Sequence, residues 1–323
     1  MEINRNIDRS LNKIGRFFHF FRILFAVAKR SLIVDFRYKF QLVVEATWTA
    51  LNVAVFVLLG VAWQETATTD GVPYSMVTFF IVATGFFTVF AGVMETTVTA
   101  ITEENQLGTM GFLVTNSVSP VAIIMGRYLA ATVRWFIILI TIVFPPLLIT
   151  GVVPSSLPLL WSSIIVFFIA WIFFMGFGLI LTSIALIIKK TTTFNRVAIY
   201  IARFASGAFV PLISFDNSLT IFNKPLSNYM IWFPPAFCLE VLRWVFTVKN
   251  ENLLNPETPS TSKDGLVYSG FNDVFGTNIT DLSLSDPMVK QMLIVVFGFL
   301  FFAIFIVTRL TTLSRKWGTI EFY

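Results

Sequence analysis

The chain has 323 residues, of which 56% are hydrophobic and only 13% charged. That charged share is about half of an ordinary soluble domain's, and it leaves too little polar surface to cover a core of this size. A soluble globular domain, a disordered chain and a collagen-like chain are all excluded, and a polytopic membrane protein is expected. One cysteine, Cys238, forbids an internal disulfide, and one histidine, His19, argues against zinc or haem sites that need several such ligands.

Residues 1–40 carry nine Lys or Arg among phenylalanines. Phe17, Phe21, Leu24 and Ala28 are spaced four, three and four apart with basic groups between them. That spacing predicts a basic amphipathic helix lying in the cytoplasmic interface, an elbow ahead of the first span.

A bilayer core of about 30 Å needs about 20 apolar helical residues. Six stretches qualify: Leu42 to Trp63, Ser75 to Thr102, Val121 to Thr150, Leu157 to Ile188, Val197 to Phe215 and Met288 to Thr308. A seventh, Tyr229 to Val248, is broken in its first half by Pro234 and Pro235 and carries Glu240 and Arg243 in its second. It is expected to be a re-entrant or interfacial segment that does not cross. The expected fold is therefore an all-α polytopic membrane protein. It has six transmembrane helices, an N-terminal amphipathic elbow helix and re-entrant extracellular helices before the last span.

Charge parity supports six crossings. With six, eighteen of the 23 Lys and Arg fall on the side of both termini, and ten of the eighteen acids fall on the other. The positive-inside rule then places both termini in the cytoplasm of a multi-pass plasma-membrane protein. The segments are 1–40 (elbow), 41–215 (spans one to five), 216–287 (extracellular re-entrant segment and polar loop) and 288–323 (span six and a basic tail). The outer loop holds one glycosylation sequon at Asn278.

Few residues suit catalysis. No Gly-Lys dipeptide occurs, so no Walker phosphate loop exists, and no G-x-S-x-G elbow appears. Glu103 and Glu104 have no partner histidines in later helices for diacid protease chemistry. The chain is expected not to be an enzyme. Its intramembrane charges are Glu45, Glu95, Arg127, Arg134 and Arg203, each expensive in hydrocarbon and a functional candidate. Glu45 can pair with Arg37 or Lys39, and Arg127 and Arg134 can snorkel to the interface. Glu95 is either half of a proton relay or a structural partner of Arg127, Arg134 or Arg203.

The loop after the second span, residues 103–120, begins with two acids. It continues through Gly108-Thr109, an amphipathic stretch Met110 to Val114, and a turn Thr115 to Pro120. It predicts a short helix on the cytoplasmic face with one polar side.

This pattern resembles the permease subunit of type-2 ATP-binding-cassette (ABC) exporters. The likeness rests on Glu104, Gly108, Thr109, Met110 and Ser117-Val118-Ser119, on the Arg37 to Phe40 element, and on the basic tail Arg315 to Thr319. Ser117 stands where proline is usual in that family, with Pro120 instead, and Gln106 stands where a second acid is common.

The resemblance implies that residues 103–120 form a coupling helix pressed by a cytoplasmic ATP-binding subunit, which holds ATP and Mg; no cofactor sits on this chain. It implies a second permease, identical or sister, with small residues such as Ala91, Gly92, Gly176 and Gly178 on the shared face. Membrane lipids are the remaining partner, and no nucleic acid is expected. The implied cargo is apolar or amphiphilic: a lipid, glycolipid, peptide or drug. The alternative is a stand-alone ion- or proton-coupled carrier using Glu95.

Overall fold

The computed structural model describes residues 2–67, 76–106, 119–149, 157–185, 192–209, 220–221, 224–225, 227–230, 232–247, 284 and 287–316. Gly108, Thr109, Met110, Ser117 and Asn278 lie outside them, as does most of the expected coupling helix.

Among the described residues the fold is all-α apart from one hairpin of two two-residue strands. Helix α1 (Glu2–Arg37) passes through the single non-helical residue Tyr38 into α2 (Lys39–Ala67), and α3 is Met76–Gln106. Helix α4 (Pro120–Ile138) continues through a π-helical turn, Leu139–Val143, into α5 (Phe144–Ile149). Then come α6 (Leu157–Ala185), α7 (Thr192–Ala205), strands β1 (Thr220–Ile221) and β2 (Lys224–Pro225), α8 (Ser227–Met230), α9 (Pro234–Thr247) and α10 (Pro287–Lys316). The strands pair antiparallel.

Among the described residues five helices are long and apolar enough to cross a membrane: α2, α3, α4 with its continuation to Ile149, α6 and α10. Helices α3 and α6 are enclosed by the others, while α2, α4 and α10 present large apolar side chains outward, as lipid-facing helices do.

The fifth expected span is different. The apolar run Val197 to Phe215 is interrupted, because α7 stops at Ala205 after 14 residues. That is about 21 Å of helix, short of a hydrocarbon core. The stop is a Schellman cap. Gly207 takes φ 70°, its N–H donates to Phe204 O at 3.1 Å, and Ala208 N–H donates to Arg203 O at 3.0 Å. Hydropathy sees the apolar run and not the backbone turn inside it.

One further expectation is corrected. Pro234 and Pro235 do not break a helix; they open α9, where a missing N–H costs nothing. The helix they open is enclosed by the bundle. Ala236 to Leu239, Val241 and Arg243 are fully enclosed, packed against α3 and α6. Several contacts hold Arg243 there. It donates to Glu240 at 3.2 Å and to Gly207 O at 2.9 Å, and its guanidinium lies 3.7 Å from the centre of the Phe79 ring. Arg243 thus ties α9 to the α7 cap.

The small residues expected on a subunit interface are spent inside the chain. Ala91, Gly92, Gly176 and Gly178 are all buried. Gly92 lies beneath the Trp135 ring, and Gly176 admits Phe299 and the backbone of Leu300 from α10.

Part of the phenylalanine content is packing between spans. Phe90 stacks on Phe174 at 4.7 Å and Phe173 on Phe299 at 4.9 Å, linking α3 to α6 and α6 to α10. The π turn in the third span follows from Pro145 and Pro146, which cannot donate to the preceding turn; Phe144 N–H reaches back to Leu139 O instead.

Helix α1 places Leu24 and Ala28 against α4, with Gly126 close to the Leu24 carbonyl. Phe21 points outward with Phe18 and Phe25. The α1 helix therefore packs Leu24 and Ala28, with Phe20, against the protein and leaves Phe18, Phe21 and Phe25 exposed.

Candidate functional site

All five intramembrane charges singled out in the sequence line one cavity of about 820 Å³, with Asp35 and Arg196. Its walls are single stripes of helix. On α3 the stripe runs Phe80, Ala83/Thr84, Phe87/Thr88, Ala91/Gly92, Glu95/Thr96 and Thr99. On α2 it runs Gln41, Val44/Glu45, Trp48/Thr49, Asn52 and Phe56. Spacings of three and four keep each set on one helix face. Arg196, Ile199, Tyr200 and Arg203 supply the α7 wall, and Arg127, Arg134 and Trp135 the α4 wall.

The wall is graded along its length. Helices α2 and α3 run antiparallel, since Gly60 meets Val77 near their joined ends and Phe56 stacks on Phe80 at 5.9 Å. The start of α2 therefore lies level with the far end of α3. Asp35, Gln41, Glu45, Glu95 and Arg196 mark one end of the cavity, and Phe56 and Phe80 the other. Nineteen residues of α3 separate Phe80 from Thr99, about 28 Å of rise.

Three carboxylates face four guanidiniums. Arg134 is buried and forms ion pairs with Glu45 and, at 3.7 Å, with Asp35. Gln41 also donates to Glu45, at 3.2 Å. Glu45 thus finds its partner 89 residues away on α4, not in Arg37 or Lys39, and Arg134 is enclosed instead of snorkelling. Burial holds the Asp35 carboxyl above its usual range, against the pull of Arg134 and Arg127.

Glu95 pairs with Arg196 at 3.4 Å, both side chains half exposed or more. The carboxylate is thus bonded to none of the three arginines named for it in the sequence. Arg203 lies deeper, 5.5 Å from the Phe87 ring centre and 5.8 Å from that of Tyr200. Its Nε is buried without a hydrogen-bond acceptor, and it makes no ion pair among the described residues.

Sequence reasoning missed Asp35 and Arg196. Arg196 had a signal: with Arg203 it falls at i and i+7 of one helix, on the same face. Asp35 had none, because it precedes the apolar run.

The other expected sites are elsewhere. Glu103 and Glu104 stand in the last turns of α3, which continues to Gln106, so the start of the expected loop is helical. Pro120 opens α4 behind Ser119, as a first-turn proline should. Pro234, Pro235, Glu240 and Arg243 belong to α9 and do not line the cavity. Among the described residues no three His, Cys, Asp or Glu converge on a metal position.

No protein-family model matches the chain. No curated protein and no solved structure matches it either.

Proposed function

We propose that the chain is the membrane-spanning subunit of an ATP-driven exporter of the type-2 ABC kind. One observation carries the reading: the order and placement of its elements. A long basic helix precedes the first span, and a non-spanning helix, α9, is enclosed in the bundle just before the last. At 14 residues α9 is too short to cross. A re-entrant role, entering and leaving on one side, suits it.

In this reading a separate cytoplasmic subunit binds ATP and Mg and hydrolyses the nucleotide. It docks on residues 103–120, and Glu104 at the end of α3 supplies charge for a basic partner surface. A second permease completes the membrane unit. Both termini are cytoplasmic, which requires α7 and the residues after it to complete a crossing. The cargo is apolar or amphiphilic, and the graded cavity has the shape for it.

The test is association. Glu104→Lys should reduce copurification of the ATP-binding subunit about tenfold, since a like charge replaces an opposite one at the contact. Undiminished copurification and transport in that variant would remove Glu104 from the coupling contact.

A second reading has its own observation. Glu95 lines the cavity, is half exposed and faces a cation. Those are the requirements of a proton-coupling carboxylate in a carrier that works alone. Glu95→Gln would then abolish transport driven by a proton gradient without ATP.

A further inference from the structure

Arg203 is the starting point. Among the described residues it makes no ion pair, and its buried Nε has no acceptor. Faces of Phe87 and Tyr200 flank it, and such contacts offset only part of the cost of desolvating a guanidinium. Its nearest carboxylate in the wall, Glu95, is engaged with Arg196. Arg196 and Arg203 are two turns apart on one face of α7, about 10 Å along the axis. An anionic group entering between them would gain charge-assisted hydrogen bonds from both.

What adjoins Arg203 sets the rest of the ligand. Beyond Phe87 the wall passes Ala83 to the paired rings of Phe80 and Phe56, about 10 Å further along α3. Among the described residues no ionisable side chain lines that stretch, and its polar side chains are Thr84 and Asn52. An inorganic anion would leave its rings uncovered. The volume suits one small amphiphile.

We propose that the cavity binds an amphiphile with one anionic head, held by Arg203 and Arg196, and an apolar tail along Phe87, Phe80 and Phe56. Glu95 is then a competitor: it occupies Arg196 in the empty cavity and yields it to the head. This deepens the exporter reading by naming its cargo class, and its meaning as a transport site rests on that reading, while the binding does not.

The experiment measures equilibrium binding of radiolabelled mono-oleoyl phosphatidic acid to the purified full-length chain in neutral detergent. Mono-oleoylglycerol, with the same tail and no phosphate, is the control. The phosphate-headed probe should bind at least tenfold tighter. Arg203→Gln should erase that preference, and millimolar inorganic phosphate should not displace the probe. Glu95→Gln should tighten binding several-fold, a gain that damage to the fold cannot imitate. If Arg203→Gln does not fold, Glu95→Gln decides, because its side chain is half exposed.

Equal binding of both probes, displacement by inorganic phosphate, or no tightening in Glu95→Gln would overturn the proposal. None of these results bears on ATPase association. Absence of any associated ATPase from the unsubstituted protein would in turn overturn the exporter reading and leave the binding untouched.

Discussion

Arg134 shows how the cavity wall is held. Its side chain is enclosed, and it meets carboxylates from α1 and α2 at once. Removing it strands two acids in a half-buried site, which costs about 3 kcal/mol. Arg134→Gln should therefore lower the thermal midpoint of the detergent-solubilised chain by several degrees. Adding Glu45→Gln should recover part of the loss, and a strictly additive second loss would show that the pair is not coupled. Charges of this kind are legible in a sequence because they interrupt apolar runs. Their partners are not. Glu45 and Arg134 are 89 residues apart, and Glu95 and Arg196 are 101 apart. Only the packing of α2 on α3 and on the π turn that continues α4, and of α7 on α3, brings these positions together.

At the scale of elements, two glycines separate close packing from mere smallness. A methyl on Gly92 would run into the Trp135 ring, and that ring is fixed by its N–H, which donates to Thr96 at 3.1 Å. Gly92→Ala should destabilise by about 1–3 kcal/mol through overpacking. At Gly178 the same methyl would find Met94 and Tyr128 at 3.6 Å, an ordinary contact. Gly178→Ala should be neutral or slightly stabilising, since alanine favours helix by about 1 kcal/mol. Paired thermal melts of the two variants check this, and equal losses would contradict it.

Helix α7 explains where the sequence falls short. Its apolar run is real, but Gly207 at φ 70° turns the chain inside it. An L-residue there costs about 1 kcal/mol or more, so Gly207→Ala should loosen the cap and the Arg243 contact with it. Faster amide exchange at Gly207 and Ala208, whose N–H groups close the cap, is the readout. Unchanged protection would show that the cap does not depend on glycine. The five long spans were legible because length and hydropathy suffice for them. The enclosure of α9 was not, because its prolines read as a break when they mark a start.

Across the whole molecule, the graded cavity and the buried α9 are consequences of one arrangement. Helices α3 and α6 form the centre, and the other elements pack around them. Phenylalanines fill that centre by stacking, which accounts for part of their number. The orientation expected from charge remains a prediction at this scale. Cysteines introduced at both ends of the chain should react with impermeant thiol reagents only after the cytoplasmic face is opened. Labelling of one end from outside intact cells would mean an odd number of crossings.

The central claim is that ATP hydrolysis on a partner drives outward movement through this chain. It is tested most directly by reconstituting the chain with its copurified ATPase subunit in proteoliposomes. Movement of a fluorescent phosphate-headed amphiphile is then followed, with ATP on the ATPase side and no ion gradient. The account predicts movement that requires ATP and stops when the ATPase is inhibited. Movement without ATP, driven by a proton gradient and abolished by Glu95→Gln, would contradict it.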